Sequence, residues 1–218
     1  MRPGLIVCAT PRSGSNYLCQ LLASTGVLGV PREYFNPVGR RAYDDPEYPD
    51  DPRAQLAQVF TTGATANGVY AVKAHPFQLR DLDGVDPLVE LPDTLLVRLR
   101  RLGRLEQAVS WARVQQTGQF RAGDPAATEP TYDAKLVAAS LRFLDDEEAW
   151  WDARLDPDRV LEVTYEDLVA DPQRVVDRVA ALVGLEEPAE IDPAVVTVRV
   201  QRDATSRRWV ERYASEGG

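Results

Sequence analysis

Arg12, Ser13, Gly14 and Ser15 stand between a short apolar run and a stretch of leucines at helical spacing. A strand that turns tightly through small residues into a helix offers free backbone N–H groups and the positive end of the helix dipole to an anion. Arg12 adds a guanidinium, which binds phosphate in a fork, and Asn16 follows in the first helical turn. The pattern predicts a phosphate-binding loop. The alternative is an ordinary turn in which Ser13 or Ser15 caps the helix.

This loop differs from the nucleoside-triphosphate loop, which reads G-x-x-x-x-G-K-[ST] and uses its hydroxyl to bind Mg²⁺. The first glycine and the lysine are absent, and no predicted strand ends in an acidic residue that would help to hold Mg²⁺. We therefore expect a donor that needs no metal. An ATP- or GTP-dependent small-molecule kinase and a nucleotide-binding partner protein without activity are the two alternatives.

The elements that must position the loop follow from the apolar pattern. Apolar runs rich in β-branched residues predict strands at 5–9, 69–72, 94–97 and 159–164, and stretches of helical spacing lie between them. We expect these strands to be buried on both faces, as in a parallel sheet covered on both sides. The predicted fold class is α/β, a three-layer sandwich with a mostly parallel sheet and a P-loop-like phosphate loop. Ligands of such sheets bind at the carboxyl ends of the strands.

The length of 218 residues, 44% of them hydrophobic, predicts a single domain over residues 1–218. The segment 36–51 is dense in Asp, Pro and Tyr and has no clear period. A long connection without structure is usually functional, so we expect an acceptor lid at about 36–66. A second irregular stretch, 118–130, follows an arginine-rich helical pattern.

The formal net charge of −9 argues against nucleic acid or an anionic membrane as the main partner. No apolar run reaches the length of a signal-peptide core or of a membrane span, so we expect a soluble, cytoplasmic protein. Cys8 in a predicted strand and Cys19 in the following helix fit no metal or disulfide framework. We interpret both as core residues.

Residues 11–15, Pro-Arg-Ser-Gly-Ser, resemble the 5′-phosphosulfate loop of sulfotransferases that use 3′-phosphoadenosine 5′-phosphosulfate (PAPS), in the form found in the bacterial trehalose 2-sulfotransferase family. With further matches the resemblance runs from residue 5 to residue 213, with gaps over the lid. It implies transfer of a sulfuryl group from PAPS to a hydroxyl of a small carbohydrate or glycosylated metabolite, with 3′,5′-ADP as product, no metal and a homodimer. The Pro- and Asp-rich lid departs from that family, so the resemblance does not assign trehalose itself.

The same resemblance assigns residues to the 3′-phosphate. In these sulfotransferases an arginine just past the strand at 94–99 and a serine on the next helix hold this group, and here they correspond to Arg101 and Ser110. Arg100 is the alternative ligand, and an exposed basic turn is the alternative to a binding role. A planar guanidinium and a hydroxyl are both suited to phosphate.

Residues 160–168 resemble the strand, turn and helix of the superfamily in which a tyrosine lies near the adenine. Tyr165 is therefore a candidate adenine contact, although an aromatic side chain at a strand end also serves packing. Residues 201–213 resemble the tail of the trehalose family, where a basic loop before an amphipathic helix closes over the cofactor. By this resemblance Arg202 or Arg207 reaches the 3′-phosphate.

Two residues compete for the role of catalytic base. Residues 72–76 resemble a Lys-Thr-His-Leu-Pro motif of animal cytosolic sulfotransferases in which the histidine is the base, here His75. An unperturbed imidazole pKa near ~6.5 suits that task. Residues 31–35 resemble a Pro-x-Glu-Phe-Phe segment of the trehalose family, which makes Glu33 the other candidate. The alternatives without a catalytic role are a surface histidine and a solvated glutamate. Lys73 and Arg12 are the candidate cations beside the transferring sulfuryl group, and the alternative for Lys73 is a phosphate contact at the strand end.

Overall fold

The computed structural model describes residues 3–91, 93–120, 124–198 and 204–217. In this part of the chain one sheet carries four strands in the order β2-β1-β3-β4. The strands are β1 Gly4–Ala9, β2 Tyr70–Ala74, β3 Thr94–Arg100 and β4 Val160–Thr164. The three pairings are all parallel, so the strands end at the same edge of the sheet. The predicted strand positions are confirmed to within a few residues.

The helices of the described residues surround this sheet: α1 Ser15–Ser24, α2 Pro37–Tyr43, α3 Pro52–Thr61, α4 Pro76–Leu79, α5 Pro87–Glu90, α6 Arg104–Thr117, α7 Ala134–Arg154, α8 Tyr165–Ala170, α9 Pro172–Val183 and α10 Ala204–Ser215. A 3-10 turn at Pro157–Arg159 precedes β4. Among these helices we find none long and apolar enough to cross a bilayer.

Alternate side chains of β1 pack into two separate cores, because successive residues of a strand point to opposite faces. Leu5 and Val7 pack with α1 and α9 on one face. Ile6 and Cys8 pack with Trp151 of α7 on the other. Helices therefore cover both faces of the sheet, and the predicted three-layer α/β architecture is confirmed.

Two expectations about burial have different outcomes. Cys8 and Cys19 are core residues as predicted, and burial raises the pKa of both thiols, that of Cys19 to about 12. The expectation that every strand is buried on both faces is wrong for β4, where Glu162 is exposed. Among the described strands β2 and β4 both lie at edges of the sheet, and β2 is buried throughout, so the cause is incomplete cover of one face of β4 at Glu162.

The segment 36–51 is not a structureless connection. Asn36 accepts a hydrogen bond from Gly39 N and begins α2, and Asp51 accepts one from Ala54 N and begins α3. A proline follows each of these capping residues, which is a common helix start. Arg40 of α2 is buried, with its guanidinium 5.5 and 5.0 Å from the ring centroids of Tyr34 and Tyr48. The segment is thus packed onto the domain.

Candidate active site

The predicted phosphate loop connects β1 to α1. Gly14 is the N-cap of α1 with a φ of 93°, and no side chain of the described residues caps the helix, so the alternative of a cap by Ser13 or Ser15 is wrong. Within the described residues, the N–H groups of Gly14, Ser15 and Asn16 donate to no backbone carbonyl, and the buried Ser13 Oγ has no hydrogen-bond partner. Free donors at a helix N-terminus form a site for an anion.

Guanidinium groups converge beside this loop. Arg12 Nε donates to Ser110 Oγ at 2.9 Å, and Arg12 Nη1 donates to the carbonyl of Phe120 at 3.0 Å. Arg101 Nη1 donates to the carbonyl of Arg12 at 3.2 Å. Burial, together with the charges of Arg101 and Arg113, lowers the pKa of the Arg12 guanidinium. Crowded positive charges of this kind favour an anionic ligand.

Tyr165 also contacts the loop. The Arg101 guanidinium carbon lies 4.6 Å from the centroid of the Tyr165 ring. A Cβ placed on Gly14 would lie only 2.5 Å from Tyr165 Cδ2. Arg100 instead pairs with Glu148, with 3.4 Å between Arg100 Nε and Glu148 Oε2. Of the two arginines at the end of β3, Arg101 is therefore the one beside the phosphate loop.

A second polar group, Lys73, Glu33 and His75, lies where β2 ends. Lys73 Nζ is 2.5 Å from Glu33 Oε1 and also bonds to Asn16 Oδ1 in the first turn of α1. His75 Nε2 is 3.7 Å from the same Glu33 oxygen. An isolated bridge between residue 32 and residue 72 holds Glu33 beside this strand end. The predicted cation and both candidate bases are thus neighbours, and Asn16 connects them to the phosphate loop.

Glu33 is ionised in this arrangement. Burial opposes its charged form, but Lys73 and His75 hold the pKa of the Glu33 carboxyl well below its usual range. Its other oxygen accepts hydrogen bonds from Asn36 Nδ2 at 2.7 Å and from Gln78 Nε2 at 2.6 Å. A carboxylate with this many donors is a weak base.

The imidazole of His75 is held by its other nitrogen. His75 Nδ1 lies 2.9 Å from the carbonyl of Ala9 at the end of β1. A carbonyl can only accept, so Nδ1 carries the hydrogen. In the neutral ring Nε2 then holds the lone pair, and in the imidazolium it carries a second hydrogen that it can donate to the Glu33 carboxylate it faces. The alternative of a surface histidine is wrong, because His75 is only 5% exposed.

The family model described as Stf0 sulphotransferase matches residues 4–216. The chain belongs to this family. The trehalose 2-sulfotransferase of Mycobacterium tuberculosis is 29% identical to this sulfotransferase over 262 aligned residues, which cover 99% of this chain and 96% of the relative. The trehalose 2-sulfotransferase of Mycolicibacterium smegmatis is 29% identical over 258 residues, 95% of this chain and 93% of the relative. Both alignments are longer than this chain of 218 residues, so the relatives contain insertions that it lacks.

Solved structures agree on the fold. A sulfotransferase domain from the curacin biosynthetic pathway superposes with a TM-score of 0.51 at 18% identity, covering 99% of this chain and 98% of that domain. A mouse sulfotransferase complexed with PAP gives a TM-score of 0.52 at 14% identity, and the match covers 97% of this sulfotransferase and 64% of the mouse chain. The sulfotransferase fold predicted from the sequence is confirmed.

A buried polar network supports the loop of this sulfotransferase, and sequence reasoning missed it. Gln107 Nε2 of α6 donates to Thr10 Oγ1 at 2.9 Å and to the carbonyl of Pro11 at 2.7 Å. Thr10 Oγ1 in turn donates to Glu148 Oε1 at 3.0 Å. Glu148 pairs with the buried Arg98 of β3 at 2.6 Å. Side chains of α6 and α7 therefore fix the start of the phosphate loop through hydrogen bonds to Thr10 and Pro11.

The C-terminal helix α10 of this sulfotransferase packs on α6 and α7 through Trp209 and Tyr213, both buried. Arg207 on the same helix is exposed. Arg202, the other candidate for the 3′-phosphate, lies outside the described residues.

Proposed function

We propose that this sulfotransferase uses PAPS as its donor and sulfates a hydroxyl of a small carbohydrate or glycosylated metabolite. The observation that carries the proposal is the placement of two groups at one edge of the sheet. Arg12 and Arg101 surround an anion-binding loop, and Lys73, Glu33 and His75 lie beside it, joined through Asn16. The two trehalose 2-sulfotransferases and the mouse enzyme complexed with PAP support the same interpretation.

The residues present fit such a donor. The free N–H groups of the loop and the unpaired Ser13 Oγ would hold its 5′ side, and Arg101 with Ser110 would hold its 3′-phosphate. Arg101 Nε is a further buried donor without a partner in the described residues. Tyr165 would contact the adenine. When bound, PAPS supplies the sulfuryl group and 3′,5′-ADP as the leaving group.

The chain's own side chains supply positioning, charge and a proton acceptor. Lys73 and Arg12 stabilise negative charge that develops beside the loop, where preformed cations are most effective. His75 Nε2 accepts the proton of the acceptor hydroxyl, since His75 Nδ1 stays bonded to Ala9 O. Glu33 orients Lys73 and offsets the charge that His75 gains.

A transfer assay tests this proposal. Sulfur-labelled PAPS is incubated with a panel of mono- and disaccharides and glycosides in EDTA, with wild type, His75→Gln and Glu33→Gln. We expect transfer without metal and a fall in kcat of about 10²- to 10⁴-fold for His75→Gln, with a smaller fall for Glu33→Gln. Retained 3′,5′-ADP binding in both variants shows that the donor site is intact.

The outcomes separate the alternatives. A requirement for Mg²⁺ and ATP in place of PAPS would overturn the sulfotransfer chemistry proposed for this site. A larger loss in Glu33→Gln than in His75→Gln would identify Glu33 as the base and His75 as the orienting residue.

A further inference from the structure

Five side-chain rings form a continuous row along the candidate active site, here called the aromatic row: His75, Phe77, Phe143, Trp111 and Phe120. The His75 and Phe77 rings are stacked, with centroids 5.7 Å apart. Phe77 and Phe143 are 6.3 Å apart, Phe143 and Trp111 stack at 5.6 Å, and Trp111 and Phe120 are 6.4 Å apart. These spacings lie within the range of favourable ring pairs.

Both ends of the aromatic row touch residues of the proposed chemistry. At one end His75 is itself the proposed base. At the other end the Phe120 carbonyl accepts a hydrogen bond from Arg12 Nη1 at 3.0 Å. Between them, Trp111 directly follows Ser110, whose hydroxyl accepts from Arg12 Nε. When an acceptor places its reacting hydroxyl at His75, the remainder of the molecule therefore contacts the aromatic row.

The aromatic row is accessible from outside. Phe77 is 37% exposed and Phe120 is 47% exposed, and Trp111 and Phe143 are partly exposed. Four neighbouring apolar side chains open to solvent are unusual on a protein surface and mark a site for a ligand with an apolar surface. Ring faces supply few hydrogen bonds, and a sugar hydroxyl that loses water without a partner is penalised. The row therefore favours a body with a flat apolar surface, and an aromatic aglycone presents more of this surface than a second sugar ring does.

We propose that the acceptor is amphiphilic: a sugar whose hydroxyl reaches His75, attached to an aromatic or apolar aglycone that lies on the aromatic row. The proposal rests on the proposed function and narrows its acceptor class. Its contacts come from α4, α6 and α7 and from the residues after α6, which the sequence does not place together. A free disaccharide is then a poorer acceptor than such a glycoside.

The test compares 4-nitrophenyl β-glucoside with free glucose and with trehalose, using PAPS as donor. Phe77→Ala removes a ring of the row, and Phe77→Leu removes aromaticity while keeping an apolar side chain. Val89→Ala is the control, because Val89 of α5 is 78% exposed and α5 precedes the amino end of β3, away from the candidate site at the carboxyl ends of the strands. We expect wild type to prefer the aryl glucoside in kcat/KM. Phe77→Ala should reduce that preference about five- to tenfold, the effect of one lost ring contact, and Val89→Ala should keep it.

Saturation-transfer NMR and the oligomeric state provide two further tests of the aromatic row. Saturation-transfer NMR on protein loaded with 3′,5′-ADP should show magnetisation on the nitrophenyl protons, and this signal should fall in Phe77→Ala and not in Val89→Ala. Equal kcat/KM values for the aryl glucoside and the free sugars would overturn the inference. The absence of saturation transfer to the nitrophenyl protons would overturn it as well. A wild-type dimer that becomes a monomer in Phe77→Ala overturns it as well, because the row would then be a subunit interface. If wild type does not bind 3′,5′-ADP at all, the proposed function itself is refuted.

Discussion

Gly14→Ala tests two features of the phosphate loop, the positive φ of Gly14 and its close approach to the Tyr165 ring. Gly14 adopts a φ of 93°, which disfavours any side chain. The new Cβ would lie 2.5 Å from Tyr165 Cδ2, so the Tyr165 ring must move. That ring lies against Arg101, the proposed 3′-phosphate ligand. The substitution therefore perturbs the loop and the donor site together.

Two contributions determine the loss of folding stability in Gly14→Ala. The left-handed backbone costs an alanine about 1–2 kcal/mol. Displacing the ring forfeits its contact with the Arg101 guanidinium, worth about 0.5–1 kcal/mol at a partly exposed site. Gly184→Ala is the matched control, because Gly184 has a φ of 75° and a Cβ added there would stand in open space. Because the backbone cost is common to both variants, Gly14→Ala should destabilise the fold by about 0.5–1 kcal/mol more than Gly184→Ala, a further Tm loss of about 1–4 °C.

Thermal unfolding and calorimetric titration with 3′,5′-ADP measure both effects. Gly14→Ala should bind 3′,5′-ADP weakly, and Gly184→Ala should bind it as wild type does. Adding Tyr165→Ala to Gly14→Ala should cost less stability than the sum of the two single changes, because the clash is gone. Equal Tm values for the two glycine variants, with wild-type binding in both, would refute this description of the loop.

Two further predictions concern Glu33 and Gln107. The lowered pKa of Glu33 stabilises the fold above the ordinary glutamate value of 4.5, and this contribution is lost as pH falls through the folded pKa. Urea unfolding should therefore show the advantage of wild type over Glu33→Gln shrinking toward acid, and a growing advantage would contradict the assignment. Gln107→Leu removes two buried hydrogen bonds to the loop and should cost about 1–3 kcal/mol and weaken 3′,5′-ADP binding. Gln116→Leu, further along α6, should leave that binding unchanged.

The fold was predictable because its strands are buried. Apolar runs of β-branched residues mark β1, β2 and β3 clearly, since both faces of each strand lie in a core. The strand order was not predictable, because nothing in the local sequence says that β1 lies between β2 and β3. The helices of the 36–66 segment were missed although Asn36-Pro37 and Asp51-Pro52 are capping signals, because the short α2 shows no apolar period.

The candidate site was predictable where it follows a strand end or a loop motif. Arg12 and Lys73 come together because parallel strands end at one edge of the sheet. The role of Gln107 could not be predicted, since its hydrogen bonds to the loop depend on how α6 packs. The aromatic row could not be predicted either, because Phe77 and Phe143 belong to different helices. Local sequence patterns predict single strands, helices and loops. Contacts between separate elements depend on tertiary packing, which these patterns do not predict.

Calorimetric titration with 3′,5′-ADP in EDTA tests the central claim most directly, with wild type, Arg101→Ala and Arg100→Ala. We expect micromolar or tighter binding of 3′,5′-ADP to wild type without metal. Arg101→Ala should weaken it about 10- to 100-fold, the worth of a charged hydrogen bond, and Arg100→Ala should have little effect because Arg100 pairs with Glu148. No binding, binding that requires Mg²⁺, or an equal loss in both arginine variants would contradict the account.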